Sequence, residues 1–149
     1  MSILSTAIGQ QLIPLVKPAI TQEQLRRYAE ASGDYNPIHL DGYAAQQVGL
    51  DGVIAHGMLS MAFLGQFVNR QIADIPGARM EHLKVRFLNM VRLDETLTCQ
   101  GIVKAQTIND DLSRSIAIEC WAQNQQGDKV TTGEAVVIIP VVSNNESRI

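Results

Sequence analysis

Cysteine is scarce in this chain: there are two in 149 residues, and neither Cys99 nor Cys120 belongs to a CxxC pair. That excludes the spacing of a thiolate metal site and leaves both as reduced packing residues inside strand-like stretches. An excess of positive charge is also missing. The net charge is −3, so no basic footprint exists to neutralise the phosphates of a nucleic acid. The most apolar run, Met58 to Val68, falls short of the about 20 residues a membrane-spanning helix needs. The opening MSILSTAIGQQ has neither the positive start nor the sustained apolar core of a signal peptide. A cytoplasmic protein with no nucleic-acid or membrane partner is the expectation. GxSxG, Walker A, GxGxxG and HExxH are absent, and no internal repeat is visible.

What is present describes a folding chain, with 46% hydrophobic and 18% charged residues. Its length suits one domain, taken as residues 1–142, followed by a polar tail at 143–149. A helical first half gives way near Ile75-Pro76-Gly77 to a strand-rich second half, which predicts an α+β fold. Gln10 to Val16 reads as a short strand that Pro14 confines to an edge. Thr21 with Gln24 has capping-box spacing and starts a helix over 22–32, closed by Gly33, with Leu25, Tyr28 and Ala29 on one face. Asp41 is placed to cap a second, short helix through Tyr43 to Val48, with Gly49 as its stop. MLSMAFLGQFV, 58–68, is apolar nearly all round and predicts a helix buried in the core. Leu83, Val85 and Phe87 alternate with polar neighbours as in a half-buried strand; Leu97, Cys99, Gly101, Val103 and Ala105 do the same. Ser115 to Asn124 and Lys129 to Pro140 make two more strands across a QQGD turn. The short connections predict an antiparallel meander that wraps the greasy helix.

The loop GDYNPIHLD, 33–41, lies between two helix caps and is unusually stiff and polar. Pro37 fixes its own φ and biases Asn36 towards extended backbone, which holds Asp34 and His39 at a set separation. An Asp and a His so held can share one water, with Asn36 orienting either partner. The same residues also suit an Asx-turn at Asp34, a turn started by Asn-Pro, and a satisfied, partly buried His39. IAHGML, 54–59, places His56 and Gly57 at the first turn of the apolar helix. Unpaired N–H groups there could hold a carbonyl or enolate oxygen, and Gly57 would allow close approach. A tight turn into a core helix, with His56 bonded to a neighbouring loop, explains that segment equally well. His39 and Asp41 find no third ligand at metal-binding spacing, so no metal is expected.

Asp34-x-Asn36-Pro37-x-His39 followed by His56-Gly57-Met58 resembles the MaoC-like family of hot-dog proteins, which includes R-specific enoyl-CoA hydratases. YAEASGD and VRFLNMVRLDETL extend the likeness to most of residues 10–140. GDYNPIHLDGYAAQQVGLDGVIAHGML is similar to the catalytic β subunits of mycobacterial (3R)-hydroxyacyl carrier-protein dehydratases. The resemblance implies a single hot-dog domain whose sheet wraps a helix at about 57–74. It also implies reversible syn hydration of a trans-2-enoyl thioester, on CoA or acyl carrier protein (ACP), to the (3R)-3-hydroxyacyl thioester. By transfer Asp34 and His39 hold and activate the water, and Asn36 and Pro37 support them. Main-chain N–H at or near Gly57 polarises the thioester oxygen, with His56, Met58 and Ser60 beside it. No cofactor is required. The implied assembly is a homodimer or higher hot-dog oligomer, with a heterodimer as the alternative.

The chain departs from the pattern at one position. Some hydratases of the family carry a serine in the central helix where Ala62 stands here, leaving Ser60 as the nearby hydroxyl. Met58, Met61, Phe63 or Leu64 would line an acyl tunnel. Lys84, Arg86 and Arg92 are either phosphate contacts or a solvated strand face. Two other functions compete: a non-catalytic acyl-binding subunit of a heteromeric dehydratase, and a hot-dog thioesterase.

Overall fold

A computed structural model describes residues 2–141, so the predicted tail at 143–149 lies outside the described residues. After a short 3-10 turn at Ile3–Ser5, the strand expected over Gln10–Val16 shrinks to β1 (Leu15–Val16). Gln11 makes only an isolated bridge to Ile102, and Pro14 between them has no N–H for a ladder. Helix α1 (Gln22–Ser32) has the predicted ends. The Thr21 hydroxyl accepts from the Gln24 N–H at 3.1 Å, and Gly33 turns left-handed at φ 77°. Leu25 and Ala29 are buried and Tyr28 packs partly against the core. Asp41 caps α2 (Gly42–Gln47) by accepting from the Tyr43 N–H at 2.9 Å.

Helix α3 (Gly57–Ile72) buries one face, not its whole circumference. Leu59, Phe63, Leu64, Phe67, Val68 and Ile72 recur at three- and four-residue steps and pack into the core, while Met58 is 54% exposed. A single sheet can cover only one side of a helix. That corrects the reading of an all-round buried helix.

The sheet contains β2 (Arg79–Phe87), β3 (Thr98–Ile108), β4 (Arg114–Gln123) and β5 (Lys129–Ile139), in the order β1-β3-β4-β5-β2. All its pairings are antiparallel. Strands β3 to β5 form the expected meander, but β2 pairs with β5 at the far edge instead of with its sequence neighbour β3. An alternating pattern identifies a strand without naming its partner. A bulge at Lys104 reverses the alternation of β3, so that Ala105, expected to face inward with Val103, is exposed. Phe87, also expected inward, is 49% exposed at the end of β2.

Strands β2 to β5 all contact α3, so the curled sheet wraps the helix in the hot-dog arrangement. Gly101 permits the closest approach: a Cβ there would lie 2.9 Å from the Phe67 ring. Among the described residues no helix is long and apolar enough to cross a membrane.

Candidate active site

The stiff loop forms a 3-10 turn, Pro37–His39, immediately before α2. Asn36 adopts the extended ψ of 124° that a following proline favours, and its side chain accepts from the Ile38 N–H at 3.2 Å. Asp34 Oδ1 accepts from the Asn36 N–H at 3.2 Å, making the anticipated Asx-turn. This leaves Oδ2 to face His39 Nε2 at 3.8 Å. The Asx-turn uses one carboxylate oxygen and leaves the other turned towards His39, so forming the turn does not take Asp34 out of reach of the imidazole.

His39 is buried, and its other nitrogen, Nδ1, lies 2.7 Å from the Ile54 carbonyl. A carbonyl only accepts, so Nδ1 carries the hydrogen and a neutral ring presents a lone pair at Nε2. Two acceptors facing each other at 3.8 Å are too far apart for a direct hydrogen bond. They are well separated for gripping one oxygen that donates to both.

His56 links the loop to α3. Its Nε2 donates to the Asp34 carbonyl at 3.0 Å, and its ring stacks on His39 with centroids 4.0 Å apart and planes 25° apart. Tyr28 also packs against it, tilted, with ring centroids 4.7 Å apart. His56 is 2% exposed, and its Nδ1 has no hydrogen-bond partner. Burial pushes the imidazole pKa below its ordinary value, and the hydrogen bond to the Asp34 carbonyl opposes that. Burial, with the Asp34 charge, pushes the Tyr28 hydroxyl up.

Ligand atoms of Asp34, His39 and His56 come within 4.8 Å of one another, a constellation that could hold a cation. The two rings are nearly parallel, however, so their in-plane lone pairs do not converge, and one nitrogen of each is committed to a backbone carbonyl. This geometry suits proton transfer better than chelation.

Beside His39 opens a cavity of about 270 Å³ lined by His39, Ile54, His56, Gly57, Ser60 and Thr131 and by the segment Phe87 to Val91. Gly57 is the first residue of α3, and its N–H and that of Met58 have no place in the helical ladder. A Cβ at Gly57 would sit 3.4 Å from the Phe87 ring, which places that ring across the helix start. Ser60 is buried and lines the cavity, but its hydroxyl is engaged with the Gly57 carbonyl and with Thr131. Met58 is half exposed and its side chain is not part of the lining. Asp34 stands at the edge with its side chain 52% exposed. Lys84 and Arg86 line a depression on the outer face of the sheet, and Arg92 lies 3.9 Å from Asp51. None of the three lines the His39 cavity.

Thr131, the Phe87–Val91 wall and the Ile54 carbonyl escaped the sequence reading. Thr131 sits in an ordinary strand pattern, the wall is held by the Leu88 and Asn89 N–H groups on the Val130 carbonyl, and a main-chain oxygen has no residue-type signal.

The description "MaoC like domain" matches residues 4–120. The chain is 34% identical over 114 residues to the fatty acid synthase beta subunit TOXC of Cochliobolus carbonum, a match covering 74% of this chain and 5% of that protein. It is 51% identical over 77 residues to 3-hydroxyacyl-thioester dehydratase X of Mycobacterium tuberculosis, covering 52% of this chain and 26% of that one. The solved (R)-hydratase from A. caviae involved in PHA biosynthesis superposes with a TM-score of 0.79 at 26% identity. That match covers 91% of this chain and 98% of the hydratase. The chain thus spans a small part of the length of the first two relatives and nearly all of the third.

Proposed function

From the premise that this chain belongs to the MaoC-like domain family, we propose that it catalyses reversible hydration of a trans-2-enoyl thioester to the (3R)-3-hydroxyacyl thioester. The observation that carries this reading is the facing of Asp34 Oδ2 and His39 Nε2 across 3.8 Å, beside the start of α3. A water held by both acceptors bonds through its oxygen to C3 while one of its protons passes to the pair. The C2–C3 electron pair moves towards the thioester, whose oxygen is stabilised by N–H groups at Gly57 and Met58. The pair returns a proton to C2. Both additions come from one side because one acid-base pair serves both carbons. Asn36 and Pro37 keep the pair in place, and no cofactor enters the proton accounting.

The substrate carrier is CoA or ACP. The assembly we propose is a dimer or larger hot-dog oligomer, either of identical chains or with a related subunit. Half-exposed Met58, Phe87, Leu88 and Met90 and the free edge of β2 support it as surfaces for a second subunit. The compartment we propose is the cytoplasm, in keeping with two buried thiols left unbonded.

The test is loss of enoyl-thioester absorbance when the protein meets crotonyl-CoA. Asp34→Asn and His39→Ala should each lower kcat by about 10²-fold or more with unchanged circular dichroism. Undiminished turnover in either variant would sink the mechanism. Thiol release from a saturated acyl-CoA would point to a thioesterase instead, and activity only after a second subunit is added would point to a non-catalytic partner chain.

A further inference from the structure

The cavity holds two buried hydroxyls that this reaction does not consume. Ser60 Oγ donates to the Gly57 carbonyl at 2.7 Å and lies 2.6 Å from Thr131 Oγ1. Ser60 and Thr131 are 3% and 1% exposed, line the cavity, and come from positions 71 residues apart. A serine has one hydroxyl hydrogen. With that hydrogen committed to Gly57, Thr131 is the donor to Ser60, and a directed chain runs Thr131 O–H, Ser60 O–H, Gly57 C=O.

The direction matters because the Gly57 carbonyl belongs to the same peptide unit as the Met58 N–H. A proton donated to a peptide oxygen draws density from its nitrogen and strengthens the N–H as a donor, and bonds in series reinforce one another. The Leu59 N–H is already taken by the His56 carbonyl at 3.0 Å. The Gly57 and Met58 N–H groups remain to meet a ligand at the start of α3; the peptide oxygen behind Gly57 accepts from a backbone N–H, and the one behind Met58 accepts from the hydroxyl chain.

We propose that Thr131 and Ser60 are positioning residues which, acting through the Gly57 carbonyl, orient and strengthen the Met58 N–H as a donor to the thioester oxygen beside the Gly57 N–H. This rests on the hydratase reading above. It assigns a role in the reaction to a residue of β5, remote in sequence from the acid-base loop. It also accounts for a cavity wall built with two hydroxyls where alkyl groups would pack as well.

The experiment uses the intact protein with hexa-2,4-dienoyl-CoA, whose ultraviolet band moves to longer wavelength when its carbonyl is polarised, alongside crotonyl-CoA kinetics. Thr131→Val, nearly isosteric but unable to donate, should shrink the bound ligand's red shift and lower kcat about fivefold, with KM within about twofold. Ser60→Ala should do the same or more. Thr131→Ser keeps the donor and should restore both readouts. Wild-type red shift and kcat in both Thr131→Val and Ser60→Ala would overturn the proposal. So would a Thr131→Ser variant as impaired as Thr131→Val, because the pair would then serve packing alone. If Thr131→Val does not fold, Ser60→Ala and Thr131→Ser give the same contrast. Absence of turnover in the wild-type chain would defeat the hydratase reading itself, an outcome distinct from active wild type with indifferent variants.

Discussion

His56 holds Asp34 by its backbone: the imidazole Nε2 donates to the Asp34 carbonyl at 3.0 Å across 22 positions of sequence. The same ring stacks on His39 at 4.0 Å. One residue at the start of α3 therefore touches both members of the proposed acid-base pair, and the pair and the helix terminus are set by a common part.

His56→Phe keeps a ring for the stack and removes the bond to Asp34. Loss of one such bond costs about 1 kcal/mol, partly offset because an unpartnered buried Nδ1 disappears with it. The expected result is a nearly unchanged thermal midpoint with kcat down on the order of ten- to a hundredfold, through misplacement of the pair. Hydratase kinetics beside thermal melts check it.

Stability should depend on pH through the same residue. Burial holds folded His56 below its ordinary value of 6.5, so on acidification the unfolded chain takes up a proton first. In that window the unfolded state binds more protons, and stability rises with pH. The contribution is complete above 6.5 and is lost as pH falls towards the lowered folded value. The urea midpoint should drop from about pH 7 to about pH 5, and His56→Phe should flatten that slope. An equal slope in the variant would assign the effect elsewhere.

Gly57→Ala separates approach from folding. Its Cβ would meet the Phe87 ring at 3.4 Å, a contact that a small ring shift relieves. Stability should stay within about 0.5 kcal/mol of wild type. On the proposed mechanism turnover should fall about tenfold, because the methyl would crowd the N–H groups offered to the thioester oxygen.

Gly101→Ala tests the core instead. The added Cβ would lie 2.9 Å from both the Phe67 ring and the Glu119 carbonyl, and the backbone oxygen cannot swing aside. A loss of about 2–3 kcal/mol in chemical denaturation is expected.

Much of the architecture was legible because it is local. The Thr21 and Asp41 caps and the Gly33 stop each depend on neighbours within four residues, and each is where the pattern put it. The period-2 runs located the strands of the sheet. They failed at Ala105, where one extra residue in β3 flips the faces, and at the edge taken by β2, which depends on a surface the pattern does not describe. Ser60 was legible as a hydroxyl near the site; its commitment to Gly57 and Thr131 was not.

The sequence by itself determined the stiffness of the loop. Asn36-Pro37 restricts its own torsions, and Asp34 and His39 come with it as residue types suited to moving protons, with Asn36 as one suited to orienting them. The tertiary structure alone decided that Asp34 Oδ2 meets His39 Nε2 at 3.8 Å, that Ile54 sets the His39 tautomer, and that His56 and Thr131 reach the site from 22 and 71 residues away. Torsional preferences and caps act between adjacent residues and can be read from their order. Pairings across tens of residues are set by how the sheet packs on α3, and no short stretch of sequence contains that information.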